Sequence, residues 1–297
     1  MRACKVAAAQ YPIDRFADLD AYEAKIVDWV SGAGAEGADL LVFPEYGTME
    51  LTALAGSVVG DLHRSIEVMD RLMPEIDALH QMLARRHGVH ILAASAPEQG
   101  GDSVYRNVAK LFAPNGKSGR QEKLVMTRFE RDTWGIAGGG PVNVFRTEIG
   151  MIGVSICYDV EFPLIARAQA EAGAHIILAP SQTETVRGYW RVRLGCQARA
   201  VENQCYVVQS PTVGDARWSP VVETNVGAAA VYAPPDGDFP ENGVVAIGEM
   251  NRPGWVYCDL DLDRVAALRE NGGVLNFQHW PEQGVVTGPV AEVVDLT

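Results

Sequence analysis

A cysteine stands at the end of a strongly apolar stretch in the middle of the chain. The sequence GVSICYDVEF, residues 153–162, is apolar up to Ile156 and then presents Cys157 followed by polar residues. A thiol at the point where a buried strand turns back toward solvent can act as a nucleophile. Free cysteine is also among the most buried residue types and can simply fill space in a core. Cys157 alone is compatible with both interpretations.

Two further strand ends carry polar groups. ADLLVFPEYG predicts a strand that ends at Pro44, which cannot extend a ladder, so Glu45 is expected on a loop at the rim of the sheet. RQEKLVMTRFERD predicts a strand that carries Lys123, with Glu130 seven residues later. Considered one at a time, Glu45 and Glu130 could be solvent-exposed charges on loops. Lys123 could be a surface lysine that protects an edge strand against aggregation.

These residue types together make a hydrolytic site. A thiol needs a base or a nearby cation, and here Glu45 can accept its proton while Lys123 lowers its pKa. In a tetrahedral intermediate, Lys123 and the backbone N–H of Tyr158 can both face the oxyanion. A buried lysine keeps its charge when a carboxylate holds it, and Glu130 is the candidate. This chemistry needs no metal and no cofactor, and the six scattered histidines show no zinc-ligand spacing.

Three segments resemble the Glu-Lys-Cys motifs of the nitrilase superfamily, the carbon–nitrogen hydrolases. LLVFPE, EKLVMTRFE and GVSICYDVEFP occur in this order, and AAAQYP near the start and QARAVENQCYVVQ (197–209) are also similar to that family. The resemblance spans nearly the whole chain. It implies an α/β fold, an αββα sandwich of two mixed sheets flanked by helices, which forms a homodimer through the helices after Cys157 and around 188–203. It also implies roles for four residues: Glu45 as general base, Lys123 as oxyanion stabiliser, Cys157 as nucleophile and Glu130 as a second carboxylate.

The residues after the nucleophile bear on the substrate. True nitrilases resemble one another in a Cys-Trp-Glu run, whereas this chain has Tyr158 and Asp159, as in the amidase and carbamoylase branches. We therefore expect hydrolysis of a small primary amide or N-carbamoyl compound through a Cys thioester, with release of ammonia. Nitrile hydrolysis and N-acyl transfer remain alternatives on the same Glu-Lys-Cys site.

Substrate charge can also be predicted from this segment. Carbamoylases for amino acids and ω-amidases tend to place arginine shortly after the cysteine, where this chain has Val160 and Glu161. An acidic side chain with no arginine beside it repels a substrate carboxylate, so we expect neutral or cationic amides. A substrate carboxylate could bind only if Arg128, Arg131 or Arg187 supplied a cation from another loop. Residues 158–161 are expected at the pocket entrance, and Tyr46 and Trp134 partly in the pocket wall.

The elements that must position these groups alternate along the chain. Short apolar runs predict strands, and apolar residues at spacings of three and four predict amphipathic helices. The predicted strands are 3–9, 38–43, 89–95, 105–112, 120–126, 143–147, 151–157, 175–180, 205–209, 227–233 and 254–260, and the predicted helices are 19–33, 65–87, 162–172, 188–203 and 263–271. Hairpins are expected at 105–126 and 143–157. No repeat or flexible linker divides the chain, so residues 1–297 are expected to form a single domain.

Composition excludes several classes of function. The net charge of −13 argues against binding to nucleic acid or to anionic membranes, because both are polyanions. No apolar run approaches the roughly 18 residues of a membrane helix, and the first residues read as a strand rather than a signal peptide. Five cysteines without a CxxC pair fit reduced thiols in the cytoplasm.

Two other classes of protein remain open at the level of sequence. One is a papain-like Cys-His hydrolase, in which His175 is the histidine in a suggestive strand position. The other is a catalytically silent binding protein of the same fold, since fold alone does not imply function. The glycine-rich GIAGGGPV (135–142) lacks a following Lys-Ser/Thr and is predicted to be a loop.

Overall fold

A computed structural model of the protein describes residues 3–286, 293–295 and 297. Within these residues, short strands alternate with helices along the chain. The strands are β1 (Cys4–Pro12), β2 (Leu40–Val42), β3 (His90–Leu92), β4 (Ala96–Gln99), β5 (Tyr105–Phe112), β6 (Ser118–Glu122), β7 (Val144–Thr147), β8 (Gly150–Val154), β9 (Ile176–Ser181), β10 (Tyr206–Asp215), β11 (Thr224–Asn225), β12 (Ala230–Tyr232), β13 (Val244–Ile247) and β14 (Gly254–Leu260). The helices are α1 (Leu19–Ala35), α2 (Leu62–His87), α3 (Pro163–Glu171), α4 (Val186–Asn203), α5 (Leu262–Asn271) and α6 (Asn276–His279). Further helical segments are the 3-10 helices Gly47–Val58, Cys157–Glu161 and Trp280–Val286 and the π-helix Phe129–Trp134.

The strands form one mixed sheet network. Its hydrogen-bonded path runs β4-β5-β3-β2-β1-β10-β9-β8-β7, and β14 lies antiparallel to β1. The six consecutive strands β3, β2, β1, β10, β9 and β8 of this path are parallel to one another, so their carboxyl ends lie at one edge. The expected α/β fold with mixed strands and helices is confirmed, as are the antiparallel hairpins β5–β6 and β7–β8.

The two faces of β1 pack into different hydrophobic cores. Val6 and Ala8 point into a cluster that includes residues of α3, α4 and β8–β10, while Ala7 and Ala9 point into one that includes α1 and α2. Successive strand side chains point to opposite faces, so a strand buried on both sides is apolar throughout. This is why the start of the chain carries an uninterrupted apolar run.

Polar side chains fix where the main helices begin. Asp18 accepts a hydrogen bond from the backbone N–H of Ala21 at the start of α1, and Asp61 accepts two such bonds at the start of α2. Thr185 accepts from the Gly188 N–H, 3.1 Å away, at the start of α4. These caps satisfy N–H groups that the first helical turn leaves unpaired. The observed helices begin within about three residues of the predicted starts.

The two strands predicted to carry Lys123 and Cys157 are shorter than expected. β6 ends at Glu122, so Lys123 lies just beyond the strand, and β8 ends at Val154, so Cys157 opens a 3-10 turn. The cause is Asp159, whose carboxylate accepts hydrogen bonds from the backbone N–H groups of Leu124, Val125 and Ile156. Backbone donors bound to a side chain cannot extend a ladder.

Other differences concern short elements. The predicted strand 89–95 is interrupted after Leu92, and β4, β11 and β13 were not expected. No helix in the described residues is long and apolar enough to cross a membrane.

Candidate active site

The residues predicted to do chemistry lie around one cavity of about 230 Å³. Glu45 follows β2, Cys157 follows β8, and Gln182 follows β9. These three strands are parallel members of the same sheet network, so the residues that follow them meet at one edge. Lys123 and Glu130 reach the same cavity from the segment after β6.

Lys123 lies between two carboxylates. Its Nζ is 2.7 Å from Oε1 of Glu45 and 2.8 and 2.7 Å from the two carboxylate oxygens of Glu130. All three residues are at most 2% exposed. An ammonium group buried this deeply needs such partners to remain charged.

Glu45 is held at both of its oxygens. Oε1 accepts from Nδ2 of Asn107 at 2.9 Å as well as from Lys123, and Oε2 accepts from the backbone N–H of Gln182 at 3.0 Å. Asn107 is fully buried in β5. These bonds orient the carboxylate, which lines the same cavity as the Cys157 thiol and raises the pKa of that thiol.

The loop that carries Glu45 is itself anchored. The N–H of Tyr46 donates to the Ser95 hydroxyl at 3.1 Å, and the Thr48 hydroxyl donates to the Ser95 carbonyl at 2.6 Å. A few residues on, buried Glu50 accepts from the Tyr11 hydroxyl at 2.8 Å. These contacts hold Tyr46 at a φ of 55°, in the left-handed region that few non-glycine residues adopt.

Glu130 has neutral donors in addition to Lys123. The Tyr46 hydroxyl donates to its Oε1 at 2.6 Å, and the N–H and hydroxyl of Thr127 donate to its Oε2 at 2.9 and 2.8 Å. The prediction that Glu130 faces Lys123 therefore agrees with the geometry, and the carboxylate is saturated with donors.

Cys157 is the first residue of a tight turn and has a φ of 49°. Its Sγ lies 3.5 Å from the carbonyl oxygen of Gln182, and the residue is 5% exposed. A left-handed conformation is strained for a side chain other than glycine, and such strain is concentrated at functional sites. The turn directs the thiol into the cavity rather than along the strand.

The charges of the cluster shift the pKa values of its members. Burial, followed by the charge of Glu45 and its hydrogen bond to the thiol, raises the pKa of Cys157 well above its ordinary value. Burial also raises the pKa of Glu45, against the opposing charge of Lys123. Burial alone would lower the pKa of Lys123, but the charges of Glu45 and Glu130 outweigh it and raise that pKa. These shifts favour a neutral thiol and make Glu45 a stronger base than an ordinary glutamate.

Glu130 differs from Glu45 in the direction of its shift. Burial acts to raise the pKa of Glu130, but the charge of Lys123 and the hydrogen bonds to its oxygens outweigh burial and lower it. The two carboxylates that bind Lys123 therefore have pKa values shifted in opposite directions, and Glu45 takes up a proton more readily than Glu130.

Asp159 links the two segments that carry Lys123 and Cys157. Its carboxylate accepts from the N–H groups of Leu124 and Val125, at 3.1 and 2.8 Å, and of Ile156, at 3.3 Å. It is 1% exposed, and burial raises its pKa to about 6. The expectation that residues 158–161 all lie at the pocket entrance is wrong for Asp159 and for Val160, which is fully buried.

The other predicted substrate-contacting residues line the cavity: Tyr46, Trp134, Tyr158 and Glu161. Tyr46 and Trp134 pack against each other with ring centroids 5.2 Å apart and are almost fully buried. They form an aromatic wall close to the base of the cavity. Tyr158 and Glu161 lie in the turn after Cys157.

An arginine stands beside Glu161, which corrects the prediction that this carboxylate has no cationic neighbour. Nε of Arg191, on α4, lies 3.6 Å from Oε1 of Glu161, and both residues line the cavity. The three arginines considered from the sequence, Arg128, Arg131 and Arg187, do not line it. Arg191 lies 30 residues beyond Glu161, and only the packing of α4 against the 3-10 turn brings the two together.

Three other residues of the site escaped sequence reasoning: Asn107, Asp159 as a link between segments, and Gln182. Each makes a hydrogen bond to a residue at least 34 positions away, and local spacing carries no signal for these contacts. A polar residue within the apolar strand YRNVAKLF is the one local hint, for Asn107.

Two further expectations concern histidine and metal. His175 lines a different cavity, with Met151 and Glu148, so it does not form a Cys-His pair with Cys157. Within the described residues, no group of three or more histidine, cysteine or acidic side chains has a metal-binding arrangement.

The chain is similar in sequence to known proteins. The family model for carbon-nitrogen hydrolases matches residues 5–270. The chain is 34% identical over 270 residues to the probable hydrolase YhcX of Bacillus subtilis, covering 91% of this chain and 52% of YhcX. It is 26% identical to omega-amidase NIT2 of Danio rerio, covering 81% of this chain and 83% of that protein. The chain thus spans about half the length of YhcX.

Solved structures share the fold. Nit3 of Saccharomyces cerevisiae superposes with a TM-score of 0.68 at 22% identity, covering 91% of this chain and 94% of that chain. A mutant of the amidase from Nesterenkonia sp. AN1, which carries acrylamide added at its active site cysteine, superposes with a TM-score of 0.67 at 21% identity. That superposition covers 90% of this chain and 96% of the amidase.

Proposed function

Because the chain belongs to the carbon–nitrogen hydrolase family, whose members act on carbon–nitrogen bonds other than peptide bonds, we propose that it hydrolyses a small primary amide or N-carbamoyl compound and releases ammonia. The observation that carries this proposal is the buried ammonium of Lys123 held between Glu45 and Glu130, in one cavity with Cys157. The amidases among the similar proteins support an amide as the substrate class.

In the first half of the reaction, the thiol of Cys157 attacks the amide carbon. The thiol proton passes to Glu45, a sulfur–carbon bond forms, and the carbonyl oxygen becomes an oxyanion that faces Lys123 and the N–H of Tyr158. The high pKa of the resting thiol requires this proton to move as the bond forms. When the carbon–nitrogen bond breaks, the proton held by Glu45 passes to the leaving nitrogen, and ammonia departs.

In the second half, water cleaves the thioester. Glu45 is again a carboxylate and accepts a proton from the attacking water, while the same donors face the new oxyanion. The carbon–sulfur bond then breaks, the sulfur regains a proton from Glu45, and a carboxylic acid leaves. Glu130 keeps Lys123 charged and in place throughout, and protein groups and water supply every proton.

The test is a covalent intermediate on Cys157. Cys157→Ala should reduce ammonia release to background, and Cys157→Ser should leave a trace at most, since an alkoxide forms far less readily than a thiolate. A slowly hydrolysed amide should add its acyl mass to the peptide that contains Cys157. Cys196→Ala, which changes a buried cysteine outside the cavity, is the matched control. Substantial activity in Cys157→Ala would contradict the proposal.

A panel of substrates separates the alternative functions. Primary amides, N-carbamoyl compounds and nitriles should be compared by ammonia release, and acyl transfer would appear as an N-acyl product when an amine is added. A catalytically silent binding protein would bind one of these compounds without an adduct on Cys157.

We also infer that residues 1–297 act as a single domain with the layers of an αββα sandwich. The two separate hydrophobic cores on opposite faces of β1 support this arrangement, with α1 and α2 covering one side and α3 and α4 the other. A second inference is that the enzyme works in the cytoplasm, which the free, buried thiols of Cys157, Cys196, Cys205 and Cys258 support.

We propose that the enzyme is a homodimer formed through α3 and α4. Val186, Trp190 and Leu194 are spaced four residues apart on α4 and are 54%, 45% and 59% exposed, and Leu164 on α3 is 70% exposed. Residues at this spacing share one helix face, so they form an apolar stripe that water disfavours. A second copy of the chain that buries this stripe would remove the cost.

A further inference from the structure

The mouth of the cavity carries a pair of opposite charges that the proposed reaction does not use. Glu161 closes the 3-10 turn that Cys157 opens, and Arg191 on α4 faces it at 3.6 Å. Four residues of 3-10 helix rise by about 8 Å, so the backbone of Glu161 lies roughly that far from the backbone of Cys157 along the turn. This distance suits the far end of a small substrate whose amide carbon lies at the thiol.

The pair is open to solvent and contributes little to holding the fold together. The Arg191 side chain is 65% exposed and that of Glu161 is 23% exposed. Exposed pairs of this kind add little stability. Glu161 contacts Arg191 at Nε, and no other partner of Arg191 occurs within the described residues. The terminal nitrogens of the guanidinium are therefore free to bind a carboxylate through two hydrogen bonds.

We propose that Glu161 and Arg191 bind the zwitterionic end of the substrate, with its ammonium at Glu161 and its carboxylate at Arg191. This inference rests on the proposed amide hydrolysis and names its substrate class: ω-amides of α-amino acids. A zwitterion supplies an opposite charge to each member of the pair, whereas a substrate with one charge pairs with only one member and leaves the other without a partner on the substrate. Trp134 and Val192 also line this cavity and offer apolar surface for the methylene groups of such a substrate.

Four amides of similar length test the proposal. Glutamine carries both charges, 4-aminobutanamide only the ammonium, glutaramate only the carboxylate, and butanamide neither. We expect glutamine to have the highest kcat/KM and butanamide the lowest, with each charge improving kcat/KM by about five-fold or more. Asparagine, one methylene shorter, reports the length of substrate that the cavity accepts.

Single substitutions then assign each charge to its partner. Glu161→Gln should abolish the advantage of 4-aminobutanamide over butanamide and leave that of glutaramate. Arg191→Gln should do the reverse. Arg187→Gln, which removes an exposed arginine one turn earlier on α4, and Glu249→Gln, which removes an exposed glutamate outside the cavity, are the matched controls and should change neither ratio.

The outcomes separate this inference from the proposed function. Hydrolysis of all four amides at equal efficiency, or a preference for a singly charged amide over glutamine, would overturn the zwitterion proposal while Cys157-dependent ammonia release upholds the hydrolase. Absence of ammonia release and of a Cys157 adduct with every amide would overturn both. If the kcat/KM ratios of the charged amides over butanamide are unchanged in both Glu161→Gln and Arg191→Gln, the substrate charges bind elsewhere in the cavity. That result would overturn the assignment of the ammonium to Glu161 and the carboxylate to Arg191.

Discussion

Two buried carboxylates and one ammonium lie in one cavity with the Cys157 thiol, and burial together with these charges shifts the pKa values of the residues in the cluster. Burial, followed by the charge of Glu45, raises the pKa of the Cys157 thiol, and burial also raises the pKa of Glu45, the residue placed to take the proton, against the opposing charge of Lys123. In the proposed reaction, the thiol therefore loses its proton only as it attacks the substrate. The transfer of the proton to Glu45 becomes part of the attack, and the protonation of Glu45 should be visible in the pH profile.

Asn107 should tune the pH dependence of activity. Glu45 must be ionised to act as a base, so kcat/KM should rise with pH through the raised pKa of Glu45, above the usual glutamate range. Asn107 donates to the ionised form, so Asn107→Leu should raise that pKa further and move the acid limb to higher pH. The measurement is kcat/KM against pH, with Asn143→Ala as a control outside the cavity. An unmoved acid limb in Asn107→Leu would show that this bond does not act on the base.

Glu130→Gln should impair turnover more than binding. The neutral amide removes one of the two charges that hold Lys123, so the oxyanion donor is misplaced or its charge is less well supported. We expect kcat to fall about 10²-fold or more with a small change in KM. Glu148→Gln, which changes a glutamate in the turn between β7 and β8, is the control. Near-normal kcat in Glu130→Gln would remove Glu130 from the catalytic set.

At the level of elements, the site is assembled from the ends of strands rather than from any one motif. The parallel strands β2, β8 and β9 bring Glu45, Cys157 and Gln182 to one edge. The segment that carries Lys123 is attached to this edge by Asp159, which accepts from backbone N–H groups on both sides. The Asp159 side chain therefore holds the segment of Lys123, the proposed oxyanion donor, against that of Cys157, the proposed nucleophile.

Asp159→Asn should loosen this connection. An amide has one acceptor oxygen and directs N–H groups at backbone donors, so at least one buried N–H group loses its partner. The expected cost is about 1–3 kcal/mol in the free energy of unfolding, together with a lower kcat. Denaturant unfolding and steady-state kinetics provide the two measurements. A variant with unchanged kcat and stability would contradict the role of Asp159.

The same variant tests a pH effect on stability. Burial raises the pKa of Asp159 to about 6 in the folded protein, above its value in the unfolded chain. The folded state therefore binds this proton more readily than the unfolded state does. The stability that protonated Asp159 contributes is present below the ordinary aspartate pKa and is lost as the pH rises to about 6. The loss in the free energy of unfolding is about 3 kcal/mol at most. Asp159→Asn cannot titrate, so its free energy of unfolding should fall less than that of the wild type across this window.

For the whole molecule, the apolar stripe on α4 predicts the assembly state. Leu194→Asp places a charge in the stripe, so it should halve the mass measured by sedimentation if two copies meet there. Met82→Asp changes an exposed apolar residue on α2 and should leave the mass unchanged. An unaltered mass in Leu194→Asp, or a monomeric wild type, would contradict the dimer proposal.

Some properties of this protein follow from the sequence by itself. The order of the segments around Glu45, Lys123 and Cys157, each following an apolar run, predicts the family, the α/β class and the candidate triad, because these signals are local. Strand alternation and helix periodicity are likewise readable from neighbouring residues. The lengths of the strands before Lys123 and Cys157 cannot be read from neighbouring residues, because the Asp159 carboxylate binds backbone N–H groups that would otherwise extend these strands.

Only the tertiary structure decided the surroundings of the triad. Asn107 on Glu45, Asp159 on the Lys123 segment and Arg191 beside Glu161 are pairs separated by 30 or more residues. Their meeting depends on which strands are parallel neighbours and on how α4 packs against the 3-10 turn, and neither leaves a periodic trace in the sequence. A single carboxylate after the nucleophile predicts repulsion of anions. The same carboxylate beside Arg191 makes a site with both signs of charge, because substrate binding depends on the summed field of groups that folding brings together.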